Sequence, residues 1–336
     1  MRQRIYSPRL PNAREASARL WGTMRQFAFA PASARPLAAL RIGLASVLLV
    51  QAALIAPIAS ELYSRSGIVQ GQLLDGSGAL GFPRIGHLVD ALSRFGVDES
   101  SVIAGVGVLY VLSLAGLLLG WKTRLSAACA WFVHFTFMMT AERTNYGADQ
   151  FANIFLFYLV FMPSGAALSL DRVFGRGPPE PSETARLALR VIQLHLCLVY
   201  LSSGVEKALG SAWWDGDAMW SSLMLPEYRR FDFSWLAHHA WIAVAAGWMV
   251  LLVEIGYPFF IWPRRTRRFW VAATVGLHIG IAVFMRLDIF GAIMSVFTIA
   301  AFGVKADPRQ ARAPSAAGAL HSRTDSVHDV IGSSER

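Results

Sequence analysis

Charge and cysteine are what this 336-residue sequence has least of. Lys, Arg, Asp and Glu make up 16% of it, against about 25% in an average soluble domain, so a soluble globular chain is excluded as the first expectation. The only two cysteines, Cys129 and Cys197, both lie in apolar runs. That leaves neither a disulfide framework nor a CxxC metal site, and buried thiols are expected. GxSxG, HExxH, P-loop and GxGxxG signatures are missing from any strand or helix setting that would give them meaning, which removes acyl-hydrolase, zincin, nucleotide and dinucleotide chemistry. No His/Cys cluster has metal-ligand spacing, so no metal is expected. Haem ligation by His134, His195 and His278 has no motif behind it. No internal repeat is evident.

Apolar sequence is what there is instead: 54% of the residues are hydrophobic. Runs of about 20 such residues recur, the signature of an all-α polytopic membrane bundle. Eight spans are expected, at about 36–58, 102–121, 125–140, 151–170, 187–206, 240–262, 269–285 and 289–304. They form a transmembrane domain over 35–304. Ahead of it lies a basic segment, 1–34, mostly disordered, too long and too charged for the n-region of a signal peptide. A short interfacial helix over 15–29, turning Trp21 and Phe27 to headgroups, is the other reading there. A disordered polar tail, 305–336, follows the bundle. Between spans one and two runs a Gly-rich loop, 59–101, with a short amphipathic helix near 86–95.

The net charge of +9 does not imply nucleic acid, because the arginines sit between apolar runs and read as topology signals. They crowd the N-terminus, Lys122/Arg124, Arg172/Arg176/Arg186, Arg264/Arg265/Arg267/Arg268 and Lys305/Arg309. Those are alternate connections of an eight-span chain, which places both termini in the cytoplasm and the protein in a cell membrane, the inner membrane of a bacterium.

One stretch gathers the chemistry: Gln193, Tyr200, Ser203 and Lys207 share a helical stripe, and Trp213-Trp214-Asp215 follow it. Connectivity puts Asn145, Asp149 and Asn153 on the same membrane face, with Arg286 closing span seven. His134, His195, Glu254 and His278 lie deeper. An ionisable group at membrane depth costs roughly 2.5–3.5 kcal/mol on insertion scales, so such groups pair, face the bundle and mark function. For each residue alone a structural role stands beside the functional one: a packing histidine, a snorkelling lysine, a tryptophan belt. Lys207 at the mouth of an apolar pocket is the candidate base. Glu206 points about 100° away around the helix and leaves it free.

The segments ERTNYGADQ, YLSSGVEKALGSAWWDG, LLVEIGYPFFIWPRRTRR and HIGIAVFMRLDIFGAIM resemble HTTM proteins, bacterial relatives of the membrane part of vitamin K-dependent γ-glutamyl carboxylase. The resemblance runs over about 35–304. It implies that Lys207 replaces the lysine that deprotonates vitamin K hydroquinone, with oxygen-driven base formation and CO2 addition to glutamate. The carboxylase has a large lumenal region where this chain has about thirty polar residues after Val304. It has a histidine at the start of span four where Gly147-Ala148-Asp149-Gln150 stand here.

The first expectation is therefore a carboxylase-like membrane enzyme, a lyase, acting on a lipophilic or quinone-linked substrate. Its cofactor would be a reduced quinone of the vitamin K or menaquinol type. Lys207, Glu254 and His278 are the catalytic candidates, with Glu254 and His278 relaying protons. Asn145, Asp149, Asn153, Tyr200, Trp213, Trp214, Asp215 and Arg286 are the substrate-binding ones. A transporter using the same polar interior ranks second and a non-catalytic accessory subunit third. The bilayer is the one expected macroscopic partner; no protein partner is assigned.

Overall fold

The computed structural model describes residues 13–67, 82–228 and 230–307. The first twelve residues, the Gly-rich stretch 68–81 and the tail beyond 307 lie outside them. Helices make up the described fold, with one isolated bridge, Ala32 to Ser182. In chain order they are α1 (Ala13–Phe29), α2 (Arg35–Ile55), α3 (Ala59–Tyr63), α4 (Ile85–Ser93), α5 (Glu99–Leu119), α6 (Thr123–Thr140), α7 (Gly147–Phe161), α8 (Leu170–Val173), α9 (Glu183–Leu209), α10 (Asp217–Met224), α11 (Ala240–Phe260), α12 (Arg264–Met285) and α13 (Asp288–Thr298). A π-turn, Ile299–Gly303, extends α13. Of the two readings the sequence leaves open for the N-terminal segment, residues 13–29 take the helical one.

Among the described residues, five segments are long and apolar enough to cross a membrane: Arg35–Tyr63 and the helices α5, α9, α11 and α12. α7 and Asp288–Gly303 are apolar but shorter. The expected fourth span, 151–170, is corrected: α7 starts at Gly147 and stops at Phe161. Met162 is extended, as a residue before proline must be, and Pro163 ends the helix.

Helix ends follow their sequence signals. Asp98 accepts from the Ser101 amide to start α5, and Ser182 accepts from the Ala185 amide to start α9. The turn between α5 and α6 is clamped from both sides. Arg41, fully buried in α2, donates to the carbonyls of Leu117 and Leu118 at the end of α5 and to Ser164 and Leu168 beyond α7. Asp171 accepts from the Lys122 and Thr123 amides and the Thr123 hydroxyl at the start of α6. A cation at a helix C-terminus and an anion at an N-terminus both match the helix dipole. Burial alone raises the Asp171 carboxyl. Hydrogen bonds from Thr123 and Lys122 and the charge of Arg176 outweigh it and hold the group below the usual carboxylate range.

α2 is the hub of the bundle, with α5, α9 and α13 packed on it. α9 crosses α11 closely at Gly204, where an added methyl would meet the Ile255 side chain at 2.8 Å. The outer surface of the bundle is apolar: Leu109, Leu112, Trp248, Leu252 and Phe269 are exposed on three different helices. That surface suits lipid rather than water.

Candidate functional site

Two polar clusters lie inside this apolar shell. The first is Lys207 on α9, whose Nζ donates to Glu254 Oε2 on α11 at 2.9 Å, to Glu254 Oε1 at 3.2 Å and to Ser203 Oγ one turn back. The Trp213 ring lies 5.4 Å from the ammonium. Pro258 brings a break in the ladder beside it, because proline offers no N–H to the Glu254 carbonyl four residues earlier. Next to the pair, Tyr200 bonds His278 Nε2 at 2.7 Å and stacks on Tyr257 at 4.1 Å. The Lys207 charge reaches His278 and the Glu254 charge reaches Tyr200, so the four residues are neighbours. Among the described residues no hydrogen bond joins the two pairs.

Lys207 is not free: its donors are engaged by Ser203 and by a carboxylate 47 residues away. Glu206 is indeed exposed and uninvolved, but Glu254 arrives from α11, which sequence spacing does not reveal. The His278 ring is turned to Tyr200 on α9.

The second cluster closes one end of a pocket of about 610 Å3 between α2, α3, α5, α6 and α7. Ile55, Leu62, Ile103, Val108, Val111 and Phe137 are among its apolar walls; Gln51, Tyr63, Tyr110, His134, Asn145 and Asp149 are among its polar groups. Gln51 Nε2 donates to Asp149 Oδ1 at 2.9 Å, and the Tyr146 amide donates to Asp149 Oδ2 at 3.2 Å. His134 Nε2 lies 3.1 Å from the Asp149 carbonyl and Nδ1 lies 2.8 Å from the Tyr110 hydroxyl. A carbonyl only accepts, so Nε2 carries the proton and Nδ1 accepts from Tyr110. Asn145 Nδ2 donates to the Met138 carbonyl. Gln51 Oε1, Asn145 Oδ1 and the Tyr63 hydroxyl keep no protein partner among the described residues, and none of them is sealed from the pocket.

Of the expected site residues, Asn145 and Asp149 reach this pocket. Lys207, Glu254, Trp213, Tyr200 and His278 gather in the first cluster instead. Asn153 stands one turn beyond Asp149 with a buried Oδ1 that has no partner among the described residues. Trp214, Asp215 and Arg286 are exposed. Phe290 on α13 lies 5.6 Å from the His278 ring and 6.5 Å from Phe151 on α7.

Every membrane-depth histidine named from the sequence has a tyrosine partner: Tyr110–His134, Tyr158–His195 and Tyr200–His278. The pairing hides from sequence reading because the partners are 24 to 78 residues apart. Gln51 is a polar residue inside span one, and its partner Asp149 lies 98 residues later. Among the described residues no group of His, Cys, Asp and Glu is arranged to hold a metal ion.

Comparison with known proteins agrees with the architecture. The family model of the HTTM domain matches residues 94–304, more than half of the chain. No curated protein and no solved structure matches it. With its apolar helices and this match, the chain is a multi-pass membrane protein and belongs to the HTTM family.

Proposed function

We propose that this protein is an enzyme of the cell membrane that binds a lipophilic ring compound in the pocket between α2, α5, α6 and α7. In this reading α6, α7 and α13 with its π-turn complete eight spans, and the alternating arginines place both termini in the cytoplasm. The observation that carries the reading is the pocket itself. A volume of about 610 Å3 falls in the range of small-molecule sites, which are apolar with a few converging polar groups.

The polar end is rich in acceptors: the Asp149 carboxylate, Gln51 Oε1 and Asn145 Oδ1. Such an end suits a ring bearing hydroxyl donors better than one bearing only carbonyls. A reduced quinone of the vitamin K or menaquinol type therefore fits, and supplies ring hydroxyls and reducing electrons when bound. Tyr110 Oη commits its own proton to His134 Nδ1, so its oxygen is positioned to take up another. His134 is then the group that holds the transferred proton.

The carboxylase-like lyase reading places the base at Lys207. That role requires an Nζ lone pair aimed at the substrate, whereas Nζ here faces the Glu254 carboxylate at 2.9 Å and Ser203 Oγ one turn back. We therefore assign ligand binding to the Asp149 end and treat the Lys207–Glu254 pair as its structural neighbour across α13.

The test is extraction in mild detergent, followed by mass spectrometry of small lipophilic molecules that stay bound, with and without added menaquinol. Retention of a quinone by the wild type, reduced at least tenfold by Gln51→Leu or Asp149→Asn, supports the reading. Retention of phospholipid alone, or variants that hold quinone as well as the wild type, rejects it.

A further inference from the structure

At the end of the bundle that carries α1, the turn between α11 and α12 and the start of α9, three arginines converge. Arg190 on α9 stacks on the Phe27 ring of α1, 4.0 Å from its centroid, and lies 5.4 Å from the Trp262 centroid. Its Nε donates to the Phe27 carbonyl and its Nη1 to Gln193. Arg186, one turn earlier, donates Nε to the Ala30 carbonyl. Arg267 donates to the Ile261 and Trp262 carbonyls. Arg186 and Arg267 are both close enough to repel the Arg190 charge.

All five of these hydrogen bonds go to neutral acceptors, and no carboxylate pairs with the three guanidinium groups among the described residues. The nearby Glu180 is engaged elsewhere, by the Ser33 hydroxyl and the Ala34 amide. Both Nη atoms of Arg186, Nη2 of Arg190 and Nη1 of Arg267 keep no protein acceptor among the described residues. Three like charges held together by aromatic rings and carbonyls are costly unless an anion joins them.

The position of α1 says which anion. This helix turns Leu20 and Trp21, 64% and 69% exposed, away from the bundle along with Met24, and it also carries Arg14, Arg19 and Arg25. A basic helix with an outward apolar face lies in the plane of a membrane interface. The arginine cluster at its C-terminal end is then at headgroup depth. Basic pockets between transmembrane helices at that depth suit anionic headgroups.

We propose that Arg186, Arg190 and Arg267 form a binding site for the phosphate of an acidic phospholipid, held under the C-terminal end of α1. Guanidinium forks match phosphate oxygens in pairs, while α1 inserts beside the acyl chains. The site is independent of the ring-binding pocket and shares no residue with it.

Native mass spectrometry of the detergent-solubilised full chain, titrated with phosphatidylglycerol, phosphatidylcholine or inorganic phosphate, tests this. Phosphatidylglycerol should be retained at least tenfold more tightly than phosphatidylcholine. Arg186→Gln and Arg267→Gln, each made alone, should weaken it about fivefold, from roughly 1 kcal/mol per basic residue at a membrane surface. Wild-type selectivity decides the matter even if a variant fails to fold. Equal retention of the two lipids, displacement of the lipid by millimolar phosphate, or folded variants with unchanged selectivity would overturn the proposal.

Discussion

Removing the Lys207 amine tests whether the first cluster is held by charge pairing. In the folded chain the Lys207 and Glu254 side chains are 23% and 11% exposed and meet at 2.9 Å. Lys207→Met keeps most of the aliphatic length but leaves the Glu254 carboxylate with no cation beside it. Breaking a buried pair on one side costs about 3–5 kcal/mol. The partial exposure of the lysine lowers that to roughly 2–4 kcal/mol, since water screens part of the charge. Lys207→Met combined with Glu254→Leu removes both charges and replaces them with apolar atoms of similar size, an exchange that is often neutral. The double variant should therefore fall within about 1 kcal/mol of wild type, with a coupling energy on the order of 2 kcal/mol or more. Thermal unfolding in detergent, followed by tryptophan fluorescence, reads this as a fall in Tm of roughly 3–6 °C for the single variant and recovery in the double one. A Lys207→Met protein as stable as wild type, or a double variant no better than the single, refutes the pairing. Lys207→Arg separates stability from chemistry, because arginine keeps the ion pair yet cannot serve as a base at neutral pH. If the protein has an activity that depends on Lys207 as a base, that variant loses it with its Tm intact.

Arg41→Met should destabilise the fold by about 3–5 kcal/mol, because four carbonyls, two of them in buried hydrogen bonds, lose a charged donor; a Tm within 2 °C of wild type contradicts this. Asp171 is depressed in the folded state, so its contribution is present above the unfolded carboxyl value of about 3.9 and fades as pH falls through the lower folded value. Asp171→Asn should therefore lower Tm at pH 7, and the gap to wild type should narrow below about pH 4; a gap independent of pH counts against the clamp. For topology, Asp215→Cys should react with a membrane-impermeant thiol reagent from outside intact cells and Arg267→Cys should not, with the reverse pattern overturning the orientation.

Much of the scaffold is readable from the chain alone because it depends on local properties. Apolar runs and the caps Asp98 and Ser182 act on their immediate neighbours, so most helix positions follow from them. The stop of α7 before Pro163 is equally local, yet span four as expected over 151–170 runs through it. The stripe Gln193, Tyr200, Ser203 and Lys207 is legible for the same reason, since helical spacing alone aligns it. Membrane character follows from how much apolar surface helices this long must cover.

Who meets whom is a property of packing, and there the sequence is silent. Lys207 finds Glu254 rather than an open cleft because Gly204 lets α9 and α11 approach closely. Gln51 and Asp149, separated by almost a hundred residues, meet because α2 is the hub around which the other helices are arranged. The pocket exists only where five elements leave space between them, and no single segment encodes a space. Sequence supplied the polar groups and the helices that carry them; tertiary packing divided those groups into an ion pair, three tyrosine–histidine pairs and one acceptor-lined cavity.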